Sequence, residues 1–166
     1  MSVMTSKPFE SWHVTDVLVG IPPAYLNMFV QRGLYGIKAR VSGRRGDKNS
    51  RRFDEASVFG IALAWMLFES GLRTEPIRRV LIDIAETSEA DAKAAAQVLG
   101  AAGLRYLVIV RELADQAGEA ETELKVIGTD STKELTDILI ASPTASVLVV
   151  PVREKFDAIE RRMALI

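Results

Sequence analysis

Along the first eighty residues, apolar positions recur at helical spacing and are punctuated by glycine and proline. Val14, Val17 and Leu18 form an i, i+3, i+4 stripe that predicts a helix from about Ser11 to Val19, after a loose arm over residues 1–9. Gly20 closes it, and Pro22-Pro23 open a second helix, where a missing N–H is tolerated. That helix runs to about Arg32 and is stopped by Gly33. It is expected to bury Leu26, Phe29 and Val30 and to expose Ala24, Tyr25, Asn27, Met28 and Gln31. Tyr35–Val41 and Ser50–Phe53 can pair as a short hairpin across a Gly-rich turn. A third helix follows over about Asp54–Ser70, capped by Asp54 and apolar on much of its circumference, with Trp65 expected at the centre of the core. Thr74–Ile84 forms a fourth, with Pro76 in its first turn.

The pattern then changes. Ala90–Gly100 is Ala-rich and helical. Leu104–Val110, Glu123–Ile127 and Ser146–Val152 read as strands, Thr132–Ala141 as an amphipathic helix, and Phe156, Ile159 and Met163 stripe a helix from about Arg153. The fold class is therefore α+β. A helix-turn-helix region with a basic hairpin is followed by a small three-stranded α/β domain. The expected boundaries are 10–86 and 90–166.

Charge sharpens this division. Residues 1–80 carry 12 Lys/Arg and 7 Asp/Glu, a net +5; residues 81–166 carry 9 and 15, a net −6. Seven of the front cations, Lys38, Arg40, Arg44, Arg45, Lys48, Arg51 and Arg52, lie within residues 38–52, opposed only by Asp47. A basic hairpin beside an exposed helix suits duplex DNA: the helix can enter the major groove while the hairpin neutralises phosphates. The candidate contacts are these seven cations with Tyr25, Asn27, Met28, Gln31 and Arg32. Asn and Gln can bond adenine edges bidentately.

The order of these segments resembles the MerR family of winged-helix transcriptional regulators. Gly20-Ile21-Pro22-Pro23-Ala24-Tyr25-Leu26-Asn27-Met28-Phe29-Val30-Gln31-Arg32-Gly33-Leu34 is similar to that family's helix-turn-helix pattern. Arg52-Phe53-Asp54-Glu55-Ala56-Ser57-Val58 resembles the segment that closes the wing, and Gly71-Leu72 with Ile77-Arg78-Arg79-Val80-Leu81 the one that follows. The match covers roughly Trp12 to Leu81. It implies a winged helix-turn-helix front that binds operator DNA. Asn27 stands where the family usually has Arg, and the cysteines of its metal-sensing members are missing.

The remaining chemistry is sparse. There is no cysteine, and the single histidine, His13, has no companion for a triad or a metal. Gly128-Thr129-Asp130-Ser131-Thr132-Lys133 lacks the second Gly and the Gly-Lys-Ser/Thr ending of a phosphate loop, and reads as a strand-to-helix turn. No catalytic residues, metal site or cofactor are expected. The residues predict a cytoplasmic transcriptional regulator of bacterial style, with double-stranded DNA as partner and no membrane segment. A homodimer is expected, with Leu104–Val110, Ser146–Val152 and the Phe156 stripe as its seam. The back domain could also take a small-molecule or protein effector. The alternative reading is a protein-interaction module, such as an antitoxin or anti-regulator, that uses the same helices to bind protein.

Overall fold

Phe9 is a buried side chain in a strand that helical periodicity does not mark. The structure, a computed structural model, describes residues 8–34, 39–41, 51–87, 105–111, 124–141 and 146–166. Within them the chain is mixed α and β, with two three-stranded antiparallel sheets. The expected Ala90–Gly100 helix and the hairpin turn over 42–49 lie outside the described residues.

Strand β1 (Phe9–Glu10) pairs with β3 (Arg51–Phe53), which also pairs with β2 (Ala39–Val41). The predicted hairpin is therefore present but gains a third strand from what reads locally as an arm. A strand of two residues carries too little periodicity to reveal itself; its partner lies more than forty residues away.

The first helix contains a π-helical segment, His13–Leu18, in which Val19 N–H bonds Val14 C=O, five residues back, at 3.0 Å. It buries Val14, Thr15 and Leu18. Helix α1 (Pro23–Gln31) starts on Pro23 and buries Leu26 and Phe29. Gly33 follows it with φ +58°, and Leu34 N–H returns to Phe29 C=O, closing a Schellman motif that buries Leu34.

Helix α2 (Glu55–Glu69) is capped by Asp54, whose carboxylate accepts from Ser57 N–H at 2.8 Å. It buries nine consecutive or near-consecutive residues from Ser57 to Leu67, as its all-round apolar pattern requires. A second Schellman turn through Gly71 leads to α3 (Thr74–Thr87).

In the second sheet, β4 (Tyr106–Arg111) is central, flanked by β5 (Leu124–Thr129) and β6 (Ser146–Pro151), both antiparallel to it. Being covered on both faces, β4 reads as a continuous apolar run. Between β5 and β6 lies α4 (Thr132–Ala141), which buries no residue fully. The chain ends in α5 (Arg153–Met163).

The buried side chains of both segments form one cluster. It runs from Phe9 through α2 and α3 to Leu107, Ile109, Val150, Phe156 and Ile159. Phe59 of α2 meets Phe156 of α5 edge to face at 5.4 Å. Helix α5 also caps the front: Lys155 Nζ donates to Val19 C=O at 3.0 Å, and Arg162 to the carbonyls of Val17 and Leu18 at 3.3 and 3.2 Å. Cations at the negative end of a helix are favourable. The Phe156 and Ile159 positions expected at a dimer seam are thus interior to one chain.

Candidate nucleic-acid interface

Helix α1 is held by its apolar face, so its opposite face is set by elimination. Ala24, Asn27 and Gln31, at i, i+3 and i+7, share that face and are exposed. Tyr25 sits on the flank. Its ring packs against Trp65 at 5.1 Å and Phe68 at 5.0 Å, while 37% of the residue stays exposed. Trp65 stacks on Phe68 and is only partly buried, so it closes the edge of the core rather than its centre. Met28, expected on the exposed side, is partly buried and packs on the core cluster.

The strands add cations. Residues alternate across a strand, so Arg51 shares a side with buried Phe53, and Arg52 takes the other. Arg51 Nη1 reaches α1 and donates to Asn27 Oδ1 at 2.7 Å. Ser11 Oγ donates to the Arg51 carbonyl at 3.3 Å, which ties β3 to the first helix. Arg52, half-exposed, lies 4.0 Å from Glu10, its partner in the register across β1. On the other side its register partner is Arg40.

Arg32, at the end of α1, turns toward α3. Its Nη1 donates to Thr74 Oγ1 at 3.2 Å, and its carbonyl accepts from Arg78 at 2.7 Å. Thus Asn27, Gln31 and Arg51 are brought together on one surface, Tyr25 and Arg32 flank it, and Arg52 sits on the far side of the sheet. Lys38, Arg44, Arg45 and Lys48 lie outside the described residues.

Two neighbours escaped the sequence reading. Glu10 pairs with Arg52 only because β1 adds to the sheet. Trp12 is 52% exposed, donates its indole N–H to Glu10 at 2.8 Å and stacks on His13 at 3.8 Å. His13 itself accepts from Glu10 N–H at 3.2 Å through Nδ1, a structural role.

Among the described residues, no three His, Asp or Glu converge as a metal site requires. Nor is any helix there long and apolar enough to cross a membrane. No buried side-chain N or O there lacks a partner. No protein-family model and no curated protein matches the chain.

Proposed function

We propose that the chain is a DNA-binding transcriptional regulator that lays α1 in the major groove and the basic hairpin along the neighbouring backbone. The observation that carries this reading is the bond between Asn27 and Arg51. It fixes a base-reading type of side chain, on the exposed face of α1, to the end of a segment bearing seven cations. A side chain suited to base edges and one cation suited to phosphate, Arg51, are thereby held side by side. The winged helix-turn-helix resemblance of residues 12–81 supports the same assignment. A two-fold operator read by a dimer belongs to this proposal, as does a cytoplasmic site of action. Its seam would lie elsewhere than on Phe156 and Ile159.

The test is a fluorescence-anisotropy titration of labelled duplex across a salt series. Binding whose logarithm falls steeply with log salt, at about 0.9 per phosphate contact, is expected. No binding at low salt would replace this reading with the protein-interaction one.

A further inference from the structure

A cleft of about 820 Å³ lies between the start of α3 and the second sheet. Its size falls within that of small-molecule sites. One wall is the α2–α3 turn and the first turns of α3, carrying Leu72, Arg73 and Arg79. The other is the end of β4 and the start of β6, carrying Ile109, Arg111 and Leu148. We propose that this cleft binds a small organic anion, its charged group held by the three arginines and its apolar body laid against Leu72, Ile109 and Leu148.

The charge balance is the first reason. Arg73, Arg79 and Arg111 are exposed, and among the described residues none of their guanidinium groups has an ion-pair or hydrogen-bond partner. The described carboxylate lining the cleft, that of Glu75, is already bonded to Arg78 at 2.6 Å. Three forked guanidinium groups around one concavity, with its acid engaged elsewhere, match carboxylate or phosphate oxygens. The positive end of α3 faces the same space. Apolar side chains from both walls supply the second half of an amphipathic ligand's site. The cleft's volume is that of a site for a small ligand. The proposal stands whether or not α1 reads DNA.

The test uses the full chain and 8-anilinonaphthalene-1-sulfonate, an aromatic anion that fluoresces in apolar sites. Saturable one-to-one binding is expected. The Arg79→Gln/Arg111→Gln double variant should weaken it by at least about tenfold, the loss of one or two charge-assisted bonds. Arg161→Gln, exposed on α5 and outside the cleft, should leave it unchanged. Benzoate or phenyl phosphate should displace the probe, the better competitor naming the head group, and uncharged benzyl alcohol should not. Unchanged affinity in the double variant overturns the proposal, as does equal competition by benzyl alcohol. Loss of DNA affinity in that variant with probe binding intact assigns the arginines to a nucleic-acid backbone and also overturns it.

Discussion

Arg51 Nη1 donates to Asn27 Oδ1 at 2.7 Å, across 24 residues of chain, and thereby locks the exposed face of α1 to β3. The bond is solvent-exposed, so its worth to folding is small. A double-mutant cycle on Asn27→Ala and Arg51→Ala in urea is expected to give a coupling below about 1 kcal/mol. If α1 reads DNA as proposed, Asn27 matters more to recognition than to folding. Asn27→Ala is expected to lower affinity for the best-bound duplex by about tenfold while leaving random-sequence DNA nearly unaffected, as loss of one base contact does. Equal losses on both would place Asn27 outside the reading surface.

On the proposed DNA-binding reading the hairpin cations would act on every sequence alike. Replacing Arg44 and Arg45 with Ala is expected to reduce the salt slope by roughly 2, at about 0.9 per phosphate. An unchanged slope in the same anisotropy titration removes both residues from the contact.

Much of this architecture is legible in the chain because it rests on local signals. Asp54 as a cap, Gly33 and Gly71 as helix stops, and the 3.6-residue stripes each act within a few residues. The helices α1, α2, α4 and α5 accordingly fall close to their expected limits. What escapes is long-range. No local pattern says that Phe9–Glu10 will add to β3, or that Phe156 will meet Phe59 instead of a second subunit. The site divides the same way. Asn27 and Gln31 follow from helical periodicity, whereas the pairing of Arg51 with Asn27 and of Arg52 with Glu10 depends on how the sheet docks.

The Phe59–Phe156 contact joins the two segments energetically. Both rings are almost fully buried, at 3% and 2% exposure. Phe156→Ala is expected to destabilise the chain by about 3–5 kcal/mol and to shift unfolding of the front helices equally. Urea unfolding followed by Trp fluorescence, which reports Trp12 and Trp65, should move with the far-ultraviolet signal. Two separated transitions would show that the segments unfold independently.

Gly33 tests the backbone alone. With φ +58° and nothing within 4 Å of an added Cβ, Gly33→Ala has no clash to relieve and only the left-handed penalty to bear. A loss of about 1–2 kcal/mol is expected, and less for Gly33→Asn, which tolerates that region. Thermal melts of the two variants check the order.

Lys155→Met keeps the length of the side chain and removes the donor to Val19 C=O. A loss of about 1–2 kcal/mol is expected, as for a hydrogen bond to a charged group. Urea unfolding checks it, and an unchanged midpoint would show that water replaces the lysine without penalty.

That same lysine sets a timetable for the ribosome. Val19 and Lys155 are 136 residues apart, so at roughly 5–20 residues per second about 7 to 27 s pass between their syntheses. Throughout that interval the carbonyls of Val17, Leu18 and Val19 await their cations, and Phe59, once made, awaits its facing ring. The nascent front must therefore stay unfinished, and guarded against wrong partners, until α5 emerges to complete it.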